Sequence, residues 1–399
     1  MIDLRAARSD PDRVRAAIAR RGAAETFDQL LAADERWREL VPQVDELRGR
    51  QKQQGKPTPE QVEELKQVKE ELRRLEEQLA AAETQRDELA LRIPNLPHES
   101  VPDGATEEEA EEVRSVGEPP KLAEPKEHTE IGRFEMERAA RIAGSRFGYL
   151  VGDTALLALA LYRFALDRVA AKGFTPVLPP VLAREEALIG TGHFPTDEQN
   201  VYEIGGDELY LAGTAEIPIA GLHLGEILEA EELPLRYVGF STSFRREAGA
   251  AGRDTRGMFR VHQFNKVEQF SFMRPDDSWD ELERLLANTE EIARDLGLPY
   301  RIVVLPAGDM SSASAKTYDL ELWYPSQGRY REAASISNTT DYQARRLGIR
   351  YRADSGTEFV HTLNGTAVTD RWALAILENF QGDVPEVLRQ YGAPEHVEP

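Results

Sequence analysis

Arginines and carboxylates concentrate in the stretch from Phe240 to Phe270, where their spacing suits the binding of an anion. Apolar and aromatic residues alternate with polar ones at both ends of this stretch, which predicts the two strands of a long hairpin. Arg245 and Glu247 stand at the mouth of the connection, and we expect Glu268 of the returning strand on the same sheet face. Arginine suits a phosphate, because its planar guanidinium can donate two charge-assisted hydrogen bonds to one anion. The connection itself contains three glycines and four further arginines: Arg246, Arg253, Arg256 and Arg260.

A solvated hairpin held by surface ion pairs is the alternative, since exposed ion pairs carry little free energy. Two observations argue against it. Four arginines in one short connection repel one another unless an anion joins them. The flanking strands are also too apolar for a surface flap. The stretch therefore predicts an anion-binding hairpin.

Three segments of this stretch resemble a known family: residues 244–247 (Phe-Arg-Arg-Glu), 252–257 (Gly-Arg-Asp-Thr-Arg-Gly) and 262–268 (His-Gln-Phe-Asn-Lys-Val-Glu). Together they resemble the second signature motif of class II aminoacyl-tRNA synthetases, in the spelling of seryl-tRNA synthetases. The apolar helix predicted over 155–171, followed by a strand and Pro179, resembles the first motif, which implies a homodimer with Pro179 at its interface. The resemblance implies an α+β fold, in which an antiparallel β-sheet forms the catalytic domain and an N-terminal antiparallel helical hairpin forms a coiled-coil arm.

The resemblance also implies a pocket for L-serine. Glu216 would bind the substrate ammonium and Thr214 another polar atom, although a helix N-cap followed by an acidic residue explains Thr-Ala-Glu equally well. Glu268 would bind the substrate hydroxyl, and Thr366 would complete the pocket from the opposite side. Such a pocket rejects alanine, because alanine leaves the polar groups of the site unpaired. The implied serine-binding residues are Thr214, Glu216, Arg245, Glu268 and Thr366.

For ATP, the resemblance implies in-line attack of the serine carboxylate on the α-phosphorus, with Arg245, Glu332 and Arg371 as the catalytic residues. Arg245 would hold the α-phosphate, Arg371 the γ-phosphate, and Glu247 would face the adenine. Glu332, assisted by Ser335, is the expected Mg²⁺ ligand, and few protein ligands suffice because magnesium keeps several waters. The residues expected at ATP are Arg245, Arg246, Glu247, Val261, Glu332, Ala333, Ala334, Ser335 and Arg371.

Two residues near this expected site depart from the family pattern. Ala334 stands where a hydroxyl residue is common. Asp370 directly precedes Arg371, and we expect the two to pair, which would weaken the hold of Arg371 on phosphate.

Composition limits the remaining classes of protein. The 399 residues contain no cysteine, which excludes disulfides, thiolate metal sites and cysteine nucleophiles. No apolar run reaches the length of a membrane span and the N-terminus lacks a signal-peptide core, so we expect a cytoplasmic protein. A net charge of -22 repels nucleic acid at long range, so any RNA contact must come from local basic patches.

The N-terminal elements that would present such patches are helical. Asp10-Pro11 signals a helix start within a short lead-in, and over residues 27–92 the composition shifts to Glu, Lys, Arg, Gln, Leu and Ala. Residues 55–59 break the helix, and Pro42 is expected to kink its first half or to mark a late start. Apolar residues three and four apart predict a seam between the two helices: Leu40, Val44 and Leu47 on the first, and Leu65, Val68, Leu72, Leu75, Leu79 and Ala82 on the second.

Such a hairpin by itself indicates helix pairing, and a dimerisation coiled coil or a spacer is the alternative. Its position before the catalytic part resembles the arm with which seryl-tRNA synthetases hold the long variable arm of tRNA. The resulting expectation is a tRNA-binding domain over 1–100, an acidic linker over 101–127 and a catalytic domain over 128–399. The expected phosphate contacts are Arg48, Arg50, Lys52, Lys56, Arg73, Arg74 and Arg86.

These expectations describe an ATP-dependent, AMP-forming serine–tRNA ligase that transfers serine to the 3′ end of tRNA(Ser), and also of tRNA(Sec). The alternatives are an active paralogue that serves a specialised pathway or confers inhibitor resistance, and a non-catalytic RNA-binding homologue. The sequence has neither a P-loop nor a dinucleotide glycine fingerprint. Five histidines lack metal-ligand spacing and are predicted to be hydrogen-bonded structural residues: His128, His193, His223, His262 and His361.

Overall fold

A computed structural model of the chain describes residues 1–52, 58–248, 257–354 and 356–399. The chain divides into two compact units, Met1–Leu96 and Pro97–Pro399. The second unit thus begins well before residue 128, where the catalytic domain was expected to start. Lys56, Arg253 and Arg256, and most of the helix break expected over 55–59, lie outside the described residues.

Helices form the N-terminal unit: α1 (Leu4–Ser9), α2 (Pro11–Ala19), α3 (Ala24–Gln51) and α4 (Pro59–Arg92). The Asp10 carboxylate caps α2 by accepting a hydrogen bond from the Arg13 N–H, as the sequence predicts. α3 runs unbroken through Pro42, so the late start expected there is wrong. Pro42 is exposed, and water can therefore reach the backbone carbonyl that the proline leaves without a donor.

α3 and α4 pack through the predicted seam. Buried side chains form it: Leu40, Val44, Leu47, Val68, Leu72, Leu75 and Ala82, with Trp37 and Leu79 packed beside them. Arg48 pairs with Glu76 at 2.9 Å and Arg50 with Glu64 at 3.2 Å. Residues later in α3 therefore contact residues earlier in α4, and the antiparallel helical hairpin is confirmed.

The strands of the C-terminal unit are, in chain order, β1 (Glu111–Val116), β2 (Thr175–Val177), β3 (Leu182–Arg184), β4 (Tyr202–Ile204), β5 (Leu209–Leu211), β6 (Ile227–Leu228), β7 (Leu235–Phe244), β8 (Gln263–Met273), β9 (Tyr300–Val304), β10 (Lys316–Tyr324), β11 (Arg329–Thr340), β12 (Arg350–Ala353), β13 (Gly356–Phe359) and β14 (His361–Thr369). The main sheet has the order β1-β9-β10-β11-β14-β8-β7-β2. Its pairs are antiparallel except for β2 with β7. Two small sheets, β3-β5-β4 and β13-β12-β6, complete the strand structure of the described residues.

Residues 101–127, expected as an acidic linker, supply the edge strand of the main sheet. β1 pairs antiparallel with β9, from Glu111 opposite Val304 to Val116 opposite Tyr300. Arg114 reinforces the edge with a 2.6 Å ion pair to Glu290. The acidic composition concealed this strand, because its side chains are mostly exposed and show no apolar alternation.

The helices of this unit are α5 (His128–Ile131), α6 (Met136–Ala143), α7 (Asp153–Ala170), α8 (Glu185–Thr191), α9 (Glu216–Ala220), α10 (Ser278–Asp295), α11 (Tyr342–Leu347), α12 (Asp370–Phe380) and α13 (Glu386–Arg389). Buried side chains of α7, α10 and α12 share one apolar core with the main sheet, among them Leu161, Leu285 and Trp372. Together with the antiparallel sheet, these layers confirm the α+β fold.

Strand alternation separates this core from the opposite face of the sheet. On β8, Val267 belongs to the core and the amide of Gln269 donates to the Leu285 carbonyl of α10 at 3.3 Å. Lys266 and Glu268 therefore point to the other face. That face, between β8, β10, β11 and β14, carries the polar side chains described next.

Candidate active site

A cleft of about 1180 Å³ lies on the polar face of the main sheet. It is lined by most of the residues that the sequence indicated for serine and ATP: Thr214, Glu216, Arg245, Glu247, Val261, Glu332, Ala333, Ala334, Ser335, Thr366 and Arg371. They come from at least five elements or their ends, so only the fold brings them together. Arg246 and Glu268 do not line the cleft.

Arg371 and Glu332 form an ion pair in the cleft. Arg371 lies in the first turn of α12, and its guanidinium donates to the Glu332 carboxylate at 3.0 Å and to the Glu332 carbonyl at 2.8 Å. Burial by itself would raise the pKa of the Glu332 carboxyl, but Arg371, together with the charges of Arg245 and Arg260, lowers this pKa below its usual value. Half of the Glu332 side chain is still exposed, so the carboxylate is ionised and accessible from the cleft.

Asp370 does not pair with Arg371, so the expected weakening of that arginine is wrong. The Asp370 carboxylate accepts one hydrogen bond from the Tyr162 hydroxyl and another from the Asn265 N–H at 3.2 Å. Burial raises its pKa from 3.8 to about 6, against the hydrogen bonds that favour the charged form. Tyr162 lies on α7, far away in sequence. Because the Asp370 carboxylate bonds to Tyr162, it does not pair with the guanidinium of Arg371.

Arg245 follows directly on β7 and is exposed to the cleft. Its Nε donates to the Gly213 carbonyl at 3.1 Å, and its guanidinium lies 5.2 Å from the centre of the Phe264 ring. Glu247 accepts a 2.6 Å hydrogen bond from Arg260. The neighbouring Arg246 does not line the cleft. Its backbone N–H donates to the Asn200 carbonyl at 2.8 Å, and its guanidinium lies 6.0 Å from the centre of the Tyr202 ring.

Glu268 is fully buried in the sheet and forms an ion pair with Lys266 on the same face of β8. Burial raises the pKa of Glu268 even against the positive charge of Lys266. Thr366 lies opposite Glu268 on β14, and its hydroxyl oxygen accepts from the Lys266 ammonium at 3.5 Å. Lys266 and Thr366 line the cleft, whereas Glu268 does not.

Glu216 lies at the start of α9 and points into the same region. Its carboxylate accepts hydrogen bonds from Gln343 at 2.7 Å and from Asn364 at 3.1 Å. Burial raises the pKa of Glu216, opposed first by Lys266. The buried Thr214 accepts a hydrogen bond from the Glu216 N–H at 3.3 Å. The N-cap of α9 is Ala215, without a side-chain cap, so the interpretation of Thr-Ala-Glu as a threonine-capped helix start is wrong.

Ser335 and Asp319 face each other on β11 and β10, and the serine hydroxyl donates to the carboxylate at 2.6 Å. Burial, and then the nearby Glu332 carboxylate, raise the pKa of Asp319. In the described part of the chain, no group of three or more histidine, aspartate or glutamate side chains forms a metal site. The oxygen donors Glu332 and Ser335 fit a magnesium ion that takes its other ligands from phosphate and water.

Sequence reasoning missed several polar residues of the cleft. Lys266 could have been found, because it stands two residues before Glu268 and strand alternation places both on one face. Gln343, Asn364 and Asp319 had no local signal, since each becomes significant only through a partner on another element. Phe259 was also missed. Its ring lies 4.6 Å from the Arg371 guanidinium and 3.9 Å from that of Arg331.

The basic residues expected to bind RNA lie on the helical hairpin. Arg48, Arg50, Lys52, Arg73 and Arg74 are exposed. Arg86 differs from them, because its guanidinium packs 4.2 Å from the Trp37 ring centre and its side chain is only 14% exposed. Arg86 therefore stabilises the hairpin.

The five histidines are hydrogen-bonded, as predicted. The partner of His128 is Glu378, that of His193 is Thr191, that of His223 is Tyr237, that of His262 is the Arg245 carbonyl, and that of His361 is Ser278. Burial lowers the pKa of His193 to about 4, so this ring is neutral at physiological pH.

Known proteins match both units. Residues 200–380 match the tRNA synthetase class II core domain (G, H, P, S and T), and residues 1–97 match the seryl-tRNA synthetase N-terminal domain. A serine–tRNA ligase of Pelotomaculum thermopropionicum is 44% identical over 98% of both chains. One from Thermobifida fusca is 44% identical over 100% of this chain and 99% of the relative. No helix among the described residues is long and apolar enough to cross a membrane.

Solved structures agree. The structure of seryl-tRNA synthetase from Pyrococcus horikoshii complexed with ATP superposes with a TM-score of 0.92 at 38% identity, covering 100% of both chains. The cytoplasmic serine–tRNA ligase of Naegleria fowleri, in complex with AMP, gives 0.87 at 33% identity over 98% of this chain and 96% of that one. The fold and the cleft thus define a class II aminoacyl-tRNA synthetase core. The chain belongs to the seryl-tRNA synthetase family, which confirms the resemblance seen in the sequence.

Proposed function

We propose that this chain activates L-serine with ATP and transfers the serine to the 3′ end of tRNA(Ser). One observation carries the proposal: Glu216, Arg245, Glu332 and Arg371, from four separate parts of the chain, line a single cleft. An ammonium-binding carboxylate and two phosphate-binding arginines are the groups that joining an amino acid to ATP requires.

In this proposal Glu216 binds the serine ammonium, since it is a cleft carboxylate whose two amide partners hold it in place. Thr214 and Thr366 border the pocket. Glu268 binds the serine hydroxyl in exchange for part of its bonding to Lys266, its present partner. A buried carboxylate that needs a hydroxyl partner discriminates against alanine, which has none.

The ATP phosphates lie between Arg245 and Arg371 in this proposal. Mg²⁺, where bound, neutralises phosphate charge, and Glu332 and Ser335 are the residues that would hold it. Arg371 must exchange part of its bonding to Glu332 for phosphate, which the half-exposed carboxylate allows. Arg371 and Arg245 then stabilise the charge that develops as pyrophosphate leaves, and no protein nucleophile takes part.

The transfer step needs a second entrance for the tRNA end. A cavity of about 560 Å³ adjoins the cleft and shares Glu216 and Arg245 with it. Its wall contains Thr196 and Ser312, whose hydroxyls suit a ribose. We place the terminal nucleotide of the tRNA there, next to the expected position of the serine carbonyl.

The helical arm would bind the long variable arm of the tRNA through its exposed cations Arg48, Arg50, Lys52, Arg73 and Arg74. tRNA(Sec) would bind in the same way if its variable arm is also long. A non-catalytic RNA-binding role fits less well, because the cleft keeps the charged residues that activation needs. Since tRNA and ATP are the proposed substrates, we place the enzyme in the cytoplasm.

We also propose a homodimer through α7 and β2. Large apolar side chains are exposed on α7, Leu156 by 47% and Leu159 by 61%, and Leu178, directly after β2, is exposed by 79%. Exposed apolar patches of this kind mark contact surfaces. Sedimentation at micromolar concentration tests this, and a monomer would contradict it.

Charging of tRNA with labelled serine tests the proposed function. The full chain is expected to charge a tRNA(Ser) transcript, and to charge at least about tenfold less of a transcript without its variable arm, because arm contacts supply part of the binding free energy. Equal charging of both transcripts would contradict the proposed role of the helical arm. If neither transcript is charged, the proposed ligase function is contradicted.

A further inference from the structure

His128 and Glu378 form a buried pair whose purpose the proposed chemistry does not explain. His128 begins α5 and Glu378 lies near the end of α12, and their side chains are 1% and 0% exposed. The His128 Nδ1 lies 2.8 Å from one Glu378 oxygen, which also accepts from the His128 N–H at 3.3 Å. The other Glu378 oxygen accepts from the N–H and the hydroxyl of Ser326 at 3.2 and 2.6 Å.

The second ring nitrogen of His128 fixes the position of the proton. The Met258 N–H donates to His128 Nε2 at 3.2 Å. Because a backbone N–H can only donate, Nε2 must accept, and the ring proton lies on Nδ1, facing Glu378. The imidazole is therefore a neutral connector, a donor on one side and an acceptor on the other.

Gly257 shows how closely the chain passes this ring. It has a φ of +65°, and a Cβ there would lie 2.6 Å from His128 Nε2. Only glycine fits, because any side chain would meet the ring and would also strain the backbone. Gly257 and Met258 are the first described residues after position 256, so His128 contacts the returning end of the arginine-rich connection.

The same segment is tied to the cleft by its next residue. The Phe259 carbonyl accepts from Arg371 Nε at 3.3 Å, and the Phe259 ring packs against the guanidinium. Arg371 and Glu378 both belong to α12, seven residues or about two turns apart, and so lie on the same side of it. The segment 257–259 is thus connected to α12 in two places, through His128 to Glu378 and directly to Arg371.

We propose that His128 is a positioning residue of the ATP site. Through Glu378 and Met258 it holds the end of the arginine-rich connection on α12, and this fixes Phe259 against Arg371. The proposal rests on ATP as the substrate of the cleft, and it goes beyond that by assigning a residue that touches no substrate.

Two substitutions of His128 test its contact with Met258. The amide of His128→Asn can donate to Glu378 in place of Nδ1 but leaves the Met258 N–H without an acceptor. The longer His128→Gln can accept from Met258. Loss of one buried hydrogen bond predicts a KM for ATP about tenfold higher in His128→Asn and within about threefold of wild type in His128→Gln. The KM for serine is expected to stay unchanged in both.

Ser326→Ala is the matched control, because it removes a donor from Glu378 without touching the Met258 contact. It is expected to lower the melting temperature and to leave the KM for ATP unchanged. Equal increases in the KM for ATP in His128→Asn, His128→Gln and Ser326→Ala would show a merely structural role and overturn the proposal. A wild-type KM for ATP in His128→Asn would also overturn it. If His128→Asn does not fold, Gly257→Ala tests the same contact from the other side, with the same increase expected and wild-type KM as the contrary result.

Calorimetry with a non-hydrolysable ATP analogue keeps this proposal separate from the proposed function. Weaker binding of the analogue by His128→Asn, but not by Ser326→Ala, supports the positioning role whether or not serine is the amino acid. A wild-type chain that binds the analogue but shows no serine-dependent reaction would contradict the proposed function alone. Equal binding by all variants would contradict the positioning role alone.

Discussion

The cleft and the helical arm both carry arginines paired with carboxylates, but the pairs differ in burial and in origin. In the cleft, Arg371 meets Glu332 from a distant strand, and the cleft residue Lys266 meets Glu268, which is fully buried and does not line the cleft. On the arm, Arg50 pairs with Glu64 across the hairpin, and their side chains are 49% and 66% exposed. The protein environment perturbs carboxyl pKa values in the cleft, upward for Glu216 and downward for Glu332.

This difference indicates two ways of using charge. Charges fixed by the fold in a cleft are oriented before a substrate arrives, so each matters greatly and only for one substrate group. Exposed pairs on a helix exchange partners at little cost, so each contributes little and its effect depends on salt. Substitutions in the cleft should therefore have large and specific effects, and those on the arm should have small and cumulative ones.

The largest effect is expected for Arg371→Ala. Without the guanidinium, the phosphate charge that develops during activation loses a fixed partner, and kcat/KM for ATP–pyrophosphate exchange should fall about a thousandfold. Arg352→Ala is the control, since that arginine is exposed and pairs with Glu229 at a distance of 2.9 Å. A decrease of less than tenfold in Arg371→Ala would break the contrast between the two regions.

A somewhat smaller effect is expected for Glu216→Gln. The amide cannot provide a negative charge for the serine ammonium, so the KM for serine should rise about a hundredfold while the KM for ATP stays unchanged. Glu203→Gln, at an exposed position of β4, serves as the control. Equal increases in both KM values would mean that Glu216 supports the cleft in general and does not bind the ammonium.

On the arm, Arg73→Glu combined with Arg74→Glu should raise the KM for tRNA(Ser) about tenfold. The slope of log KM against log salt concentration should fall by about two, because two phosphate contacts are lost. Exchange of ATP with pyrophosphate should not change, because no tRNA takes part in it. Arg36→Glu, on the other helix, is the control with the same type of charge reversal. An unchanged KM and salt slope in the double variant would contradict RNA binding by this face of the arm.

A prediction of a different kind concerns Asp370 and the pH dependence of stability. Because its pKa is raised from 3.8 to about 6, the folded protein between these values keeps a proton that the unfolded chain has released. The contribution of Asp370 to stability is therefore present at the acidic end and is lost as pH rises, by about 3 kcal/mol at most. Asp370→Asn does not titrate, so the melting temperature of the wild type relative to this variant should fall from about pH 4 to about pH 6. Parallel profiles would contradict a raised pKa.

The arm could be predicted almost completely from the sequence, and the cleft only in part. The spacing of Leu72 and Leu75 shows the seam directly, because helix pairing repeats locally. Arg245 and Glu247 were found for a similar reason, since one hairpin holds both. The partner of Asp370 could not be found, because Tyr162 comes from another helix and nothing in the local sequence links the two. The strand in the acidic segment 101–127 was missed because its pairing with β9 depends on the sheet edge and not on apolar alternation.

Serine-dependent ATP–pyrophosphate exchange tests the central claim most directly, that the cleft is a site for activating serine. The full chain with magnesium is expected to catalyse exchange with serine, to give little exchange with alanine, threonine or glycine, and to lose the activity in Arg245→Ala. Exchange that is equally fast with alanine would contradict a hydroxyl-binding role for Glu268. No exchange with any of the four amino acids, from folded protein that still binds tRNA, would contradict the account of the cleft and leave an RNA-binding protein.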